Sequence, residues 1–539
     1  MDFWQALLLG GLYWLANIEM MYTFYWQMMD PLFLSVFVGL LFGNVPQAMI
    51  VGAYIQPMYL AFLGAGGTAA VDKAAAGIIP TAAVLSSGLP MEAAVALAVP
   101  VGLLMAQLHT VRRIVAATWV HMADGYAKTC NTRGIYLCGL VYHNLFKIVL
   151  LWLPMTLILY FGTDFTASLI QSLPAWLLNG LSVVSGLLPA MGFAMTVNVI
   201  GRPQFLPFFI GGFFLTQYTG VGMIPLAMIG LFLAYLHFNY AKDDSVADSL
   251  ADDGPETSEP STTSARLLTK KDVTRTYLLW WYACEQSNSF ERLQTLAFCV
   301  SLLPVLKKLY GHDSALFSQA IDRHLTFFNT EGIWGALIHG VVLAMEEQRA
   351  MGLPVADEAI QGIKVGLMGP LAGIGDTIDG STIHPLITAA FIPAAAAGHW
   401  WAGILPFFLI GLIEFAEGLY FCHLGFQTGT RAALSLLQSG QIRKIITFAS
   451  VLGLFMMGGL SASFVSVQTP LAIPTAADPM YIQTSILDAI APGLLSISAV
   501  FAVYTYLKRG GTMLKATFYI LGIGLVLGSL GILGAPPVA

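Results

Sequence analysis

Apolar runs about as long as a bilayer is thick recur along nearly the whole chain, and they constrain its fold more than any motif does. They lie near residues 31–64, 78–108, 148–171, 177–200, 205–238, 386–413, 445–467, 485–507 and 515–535. A helix needs about 20 apolar residues to cross the hydrocarbon core, so a chain of this length has room for about a dozen or more spanning or half-spanning segments. Charged residues make up only 10%, whereas soluble domains carry roughly 25%. The sequence therefore predicts an all-α polytopic membrane protein. A net charge of −6 gives no reason to expect a nucleic-acid partner. Cys130, Cys138, Cys284, Cys299 and Cys422 are odd in number and contain no C-x-x-C pair, so they predict packing residues and no metal site. Met1-Asp2-Phe3-Trp4 lacks the basic start of a signal peptide and is expected to be retained.

Polar interruptions of the apolar runs are the candidate functional positions. The foremost is Gly362 through Pro385, where Asp376, Asp379 and His384 sit among six glycines and two prolines. Glycine costs about 1 kcal/mol and interior proline about 3 relative to alanine, so the backbone is expected to break there. Broken backbone beside ionisable side chains is how membrane proteins hold polar substrates, although a loop between two spans fits the same spacing. Gly43-Asn44-Val45-Pro46 and Gln56-Pro57 should divide residues 31–64 into short segments. Gly64 through Gly77, with Asp72 and Lys73, reads equally as a solvated turn or as a re-entrant segment beside a polar cavity. Glu19 is expected at an interface or inside the protein. Arg112, Arg113, His121, Asp124, Lys128, Arg133 and His143 place positive charge near membrane ends.

Between residues 242 and 266 the composition changes to seven acids among Ser, Thr and Pro, which cannot bury enough surface to fold. The expected organisation is a first membrane domain over 1–241, a disordered acidic linker over 242–267 and a second membrane domain over 268–539. Thr269 is the expected N-cap of a basic surface helix. Lys242 before the linker and Lys270, Lys271 and Arg275 after it put the linker on the cytoplasmic side. In the second half, residues 277–310 are expected to be helical with a polar face that includes Glu291 and Gln294. Arg323, His324, Glu346, Glu347 and Arg349 are expected at a membrane surface, and Glu414 with Glu417 as an interfacial pair.

Four blocks of the second half carry a family resemblance: Phe290 through Cys299, Arg323 through Thr330, Glu346-Glu347-Gln348-Arg349, and Gly362 through Asp376. In that order they resemble the IID subunit of mannose-family (mannose/fructose/sorbose) sugar phosphotransferase systems. The first half resembles the family's IIC subunit more weakly, through Gly64–Gly77 and the Asn198-to-Pro207 region. The resemblance implies a natural IIC–IID fusion with two helical domains, broken and re-entrant helices and elevator-type transport. It implies a homotrimer in the bacterial inner membrane that carries a sugar inward. Cytoplasmic IIA and IIB phosphocarriers supply phosphate in such systems, so the chain is not expected to be an enzyme or to need a cofactor. The absence of a P-loop, kinase signature or Gly-x-Ser-x-Gly agrees.

The sequence departs from the family's usual pattern at positions that bear on substrate. Gly-Asp-Pro followed by aromatics and Arg-Pro is replaced by Gly375-Asp376-Thr377-Ile378-Asp379-Gly380 and His384-Pro385. A usual glutamate in the IIC half is Gln56, and Pro-Asp has become Val71-Asp72 followed by Lys73. These changes imply a ligand other than plain mannose or glucose. A sugar hydroxyl both donates and accepts, which suits carboxylates and amides. The candidate substrate-binding set is accordingly Asp376, Glu291, Gln294, Asp72, Lys73, Gln56, Asn198, Asp379 and His384, with the alternative that Asp376 only caps a helix. An ion-coupled secondary sugar transporter is the rival function. An intramembrane aspartyl protease matches Gly373-Ile374-Gly375-Asp376 but lacks a Tyr-Asp in an apolar span.

Overall fold

A computed structural model describes residues 1–60, 71–171, 174–200, 203–240, 266–289, 291–438, 440–474 and 479–534. Among these residues the protein is mostly helical. Three helices are long and apolar enough to cross a membrane: Met91–Lys128, Thr132–Gly162 and Trp401–Gly429. Two further pairs, Tyr22–Met28 with Pro31–Phe42 and Gln483–Ile490 with Leu494–Lys508, each bend by 62° at a short break. Shorter apolar helices surround them, and a small antiparallel pairing joins Ala472–Ile473 to Met480–Tyr481.

Local chemistry accounts for the breaks that position the site. Asp30 precedes Pro31 at the start of the Pro31–Phe42 helix, where proline's missing N–H costs nothing. Gly43 closes that helix in a left-handed conformation at φ 71°, which glycine adopts without steric penalty. Asn44 then caps Val45–Ile55 by accepting from the Gln47 amide at 3.2 Å. Residues 31–59 are thus the expected short segments, ending in a 3₁₀ turn over Gln56–Tyr59.

The predicted rupture at Gly362–Pro385 takes another form. The Asp357–Gly375 helix passes through a π-helical segment, Asp376–Ile383, directly into the His384–Ala396 helix. Asp376 keeps right-handed helical dihedrals (φ −56°, ψ −33°) at a helix's C-terminal end, so it is not an N-cap. A π segment loosens the hydrogen-bond ladder without unwinding the chain, and Pro385 falls in the first turn of the following helix, where it is tolerated.

The two sequence halves interleave. One buried core joins Tyr22, Tyr25, Ala123 and Cys138 to Trp280, Phe298, Phe328 and Leu337. Another joins Leu32, Met49 and Phe209 to Ala389, Ile392 and Phe455. Where Leu206–Thr219 crosses Gly440–Phe464, a Cβ at Gly212 or Gly458 would run into the facing backbone of Phe455 or Phe209. Small residues at such crossings let membrane helices approach closely. The acidic linker and Gly64 through Ala70 lie outside the described residues.

Several charged stretches are more buried than the sequence predicts. Arg323, His324, Glu346 and Glu347 are interior rather than at a surface, each 6% exposed or less. Arg112 is buried against Glu19, which also receives the Lys147 ammonium at 2.9 Å. Partners distant in sequence make these burials tolerable, and local charge patterning does not reveal them. The polar stretch after Tyr277 is likewise not one helix: Lys270–Ala283 ends ahead of Glu285, and the next helix, Thr295–Tyr310, begins after Gln294. Thr269 does cap the first of these, in a reciprocal box with Asp272.

Candidate functional site

The π segment and its neighbours enclose a small polar cavity of about 40 Å³. Asp376, Asp379 and Gly380 come from the π segment, and His384 from the first turn beyond it. Glu331 and Ile333 come from the turn ahead of the Ala336–Ala350 helix, Glu414 from the long Trp401–Gln438 helix, and Tyr22 and Trp26 from the first half.

Four carboxylates converge here with few donors. Glu331 accepts the Ile333 and Trp334 amides, each at 2.8 Å. Gly375 makes room for it, since a Cβ at that position would strike the Glu331 side chain. Glu414 is 4% exposed and lies beside Gln27. Asp376 is half-buried. Asp379 is 1% exposed, and neither of its oxygens has a hydrogen bond of ordinary geometry, although the Trp334 indole lies beside it.

A charge chain links this wall to the first half. His384 Nε2 lies 3.1 Å from Asp30, whose other oxygen receives the Lys73 ammonium at 3.3 Å. Lys73 also sits over the Trp26 ring, 5.7 Å from its centroid. Gln56 adjoins Asp30 and accepts the Leu32 amide at 3.0 Å. The arrangement can bind a polar group and register the relative placement of the two halves.

Asp376, Asp379 and His384 line the cavity, and Lys73 and Gln56 reach it through Asp30. Gln294 stands one layer behind, clamping Thr330 through its amide and carbonyl at 2.9 Å each and donating to Glu285 at 2.6 Å. Asp72 caps Lys73–Ser87 through the Ala75 amide and is further engaged by Tyr13 and by His109 at 3.0 Å. Asp72 is therefore not a solvated turn residue, and it lies outside the lining. Glu291 is 42% exposed and pairs with His121 at 2.9 Å, while Asn198 is exposed on the Pro189–Ile200 helix. Neither joins the cavity.

The sequence reading missed Glu331, Trp26, Tyr22 and the role of Asp30, and it placed Glu414 at an interface although Glu414 is a buried wall. Glu331 interrupts an apolar stretch directly after one of the four family-like blocks, which is the signal that points to it.

Two family profiles match the chain. Residues 3–236 match the "PTS system sorbose-specific iic component", and residues 267–533 match the "PTS system mannose/fructose/sorbose family IID component". The mannose-specific EIID component of Escherichia coli (strain K12) is 37% identical over 279 residues, which cover 50% of this chain and 98% of that protein. The chain belongs to the mannose-family PTS permeases. It unites a IIC and a IID unit in one polypeptide, a transport component without phosphoryl-transfer activity of its own. The fused permease is also 26% identical to the Fructose permease IIC component of Bacillus subtilis (strain 168), covering 41% of this chain and 82% of that one. A solved structure, "CryoEM Structure of Mannose Transporter ManYZ and Microcin E492 (MceA) complex", is 36% identical over 50% of this chain and 99% of that one, with a TM-score of 0.30.

Proposed function

We propose that the permease binds a sugar or sugar derivative at the Asp376–Asp379–Glu331–Glu414 cavity. It carries the ligand inward by elevator-like movement of a core against a scaffold, for phosphorylation by a cytoplasmic IIB partner charged through IIA. The observation that carries the assignment is the meeting of four carboxylates, three of them buried and Asp376 half-buried, with a charge chain, His384–Asp30–Lys73, that crosses between the IIC and IID units. Intramembrane ionisable groups facing the protein interior mark substrate pathways. Loading a sugar here and releasing it on the other side of the membrane requires the walls to part. Such parting is the movement an elevator supplies, and breaking Asp30–His384 is its natural accompaniment.

The remaining parts of this reading are supported by family resemblance and sequence. They are membrane units over 1–241 and 268–539, a cytoplasmic linker over 242–267, a homotrimer of the fused chain and placement in the bacterial inner membrane. Direct ligand contact belongs to Asp376 and Asp379, with His384 as the wall that responds to the other half.

Asp376→Asn tests the site, because it preserves shape while removing the charge that accepts two strong hydrogen bonds. The variant should be produced normally and lose sugar binding by more than about tenfold, equal to about 1.4 kcal/mol. Unchanged binding and uptake would refute the assignment. Uptake in proteoliposomes driven by a proton gradient, with no phosphocarrier present, would instead support a secondary transporter.

A further inference from the structure

We propose that Gln294 is a positioning residue for the cavity. Its side chain pairs with the main chain of Thr330 as a neighbouring strand would, and so sets where the Glu331 carboxylate stands in the wall without touching the ligand. This role rests on the assignment of the cavity as the sugar site.

The pairing is complete at one residue. Gln294 Oε1 accepts the Thr330 amide at 2.9 Å, and Nε2 donates to the Thr330 carbonyl at 2.9 Å. The backbone continues the contact: the Gln294 amide donates to the Phe328 carbonyl at 2.9 Å, and Leu293 bridges Phe328. Thr330 is 4% exposed and lies in no helix or strand. A buried amide and carbonyl outside regular structure must find partners, and here one side chain supplies both.

What Gln294 holds leads directly into the wall. Glu331 follows Thr330, and its carboxylate accepts the Ile333 and Trp334 amides of its own turn. Its place is therefore set by where the chain enters that turn, which is at Thr330. The Thr330 hydroxyl also donates to the Met368 carbonyl at 3.3 Å, on the Asp357–Gly375 helix that delivers Asp376. Thr330 is thus the joint between two walls of the cavity, and Gln294 locks it.

Gln294 is itself held in one direction. The Thr330 amide can only donate and its carbonyl only accept, which fixes the orientation of the side-chain amide. Nε2 also donates to Glu285 at 2.6 Å, and Glu285 accepts from Asn288 at 2.8 Å. Leu293, just before it, takes a φ of 49°, a left-handed conformation uncommon for any residue but glycine. Strain of this kind persists where the surroundings over-determine it, and it gathers at ligand sites. With 2% exposure, its side-chain nitrogen engaged and no place in the cavity lining, Gln294 acts on a ligand through Thr330 and Glu331.

The test is a double-mutant cycle on the full chain in lipid nanodiscs. Mannose, fructose, sorbose and glucosamine are each titrated to high millimolar concentration, and the tightest binder is carried through the cycle. Gln294→Met keeps the length of the side chain and removes the pairing. It should fold, judged by its size-exclusion profile, and weaken sugar binding by about tenfold or more. In a Glu331→Gln background the same substitution should cost less than about threefold, because the carboxylate it places is gone. Equal losses in the two backgrounds, or unchanged binding in Gln294→Met, would overturn the positioning role and leave the sugar site to stand on Asp376→Asn. Unchanged binding in Glu331→Gln alone would do the same. If Gln294→Met does not fold, Gln294→Asn, which draws the amide back by one methylene, takes its place in the cycle. Failure of both to fold would make Gln294 a structural residue and overturn the proposal. Failure of every sugar to bind the parent protein would overturn the site assignment and the positioning role together.

Discussion

Among the described residues of the IID unit, two buried acid clusters differ in what surrounds the carboxylates. At Glu346 the charge is fully enclosed by donors: Arg323 at 2.9 and 3.0 Å, His324 at 2.8 Å and the Tyr310 hydroxyl at 2.6 Å. Arg323 also reaches Asp357 at 2.6 Å, and the Lys364 ammonium lies nearby over the Phe298 ring at 4.7 Å. At the cavity, by contrast, Asp379 has no bond of ordinary geometry and Glu331 relies on two backbone amides. The first cluster ties together four helices of the unit. The second holds free acceptor capacity that a ligand can use, and this costs stability wherever no ligand is bound.

The largest expected effect comes from unbalancing the paired cluster. Arg323→Ala leaves Glu346 with an uncompensated charge, and removing one partner of a buried ion pair typically costs about 3–5 kcal/mol. Loss of folded yield, or a sharply lowered unfolding midpoint in detergent, is the expected result. A midpoint within a degree or so of the parent, on the order of the surface-substitution range, would show that the cluster does not brace the fold. Asp379→Asn should act in the opposite direction on stability, because it removes one of several acids crowded together in a buried wall. The unfolding midpoint without ligand is expected to rise while sugar binding falls, the trade-off common at sites kept strained for function. A variant destabilised as severely as Arg323→Ala would mean that Asp379 is structural, and the contrast between the two clusters would collapse.

The same contrast explains which parts of the molecule were legible in sequence. The helix stop at Gly43-Asn44 and the cap at Thr269 depend on residues within a few positions of each other, and both stand where local rules place them. The membrane class and the family blocks were equally plain. Arg323 and Glu346 are 23 positions apart, so a local reading saw two charged stretches and assigned them to a surface. The cavity is harder still, since it joins Trp26 to Glu414 across most of the chain and is defined by bonds that are not made. Glycine and proline content foretold an irregular backbone near Asp376, but the choice of a π segment over an unwound loop depends on the surrounding helices, which no local propensity contains.

The smallest expected effect concerns the join between the units. Asp124 and Arg292 form a two-pronged ion pair at 2.8 and 2.9 Å across the halves. Thr23 meets the Gly411 carbonyl at 2.9 Å, Asn144 meets Gln286 at 2.9 Å, and His384 meets Asp30. Shared apolar cores run beneath these contacts. With so much contact between the folded parts, the acidic stretch between Asp243 and Pro260 is not expected to be needed to hold them together. A protease site inserted at Ser258 and cut after purification should therefore leave the two fragments co-migrating on size exclusion, with sugar binding unchanged. Separation on mild solubilisation would mean that the interleaved cores are too weak to act as an interface. If the cut protein stays whole while Asp30→Asn alters binding, the connection that matters between the units is the Lys73–Asp30–His384 chain rather than the peptide bond that joins them.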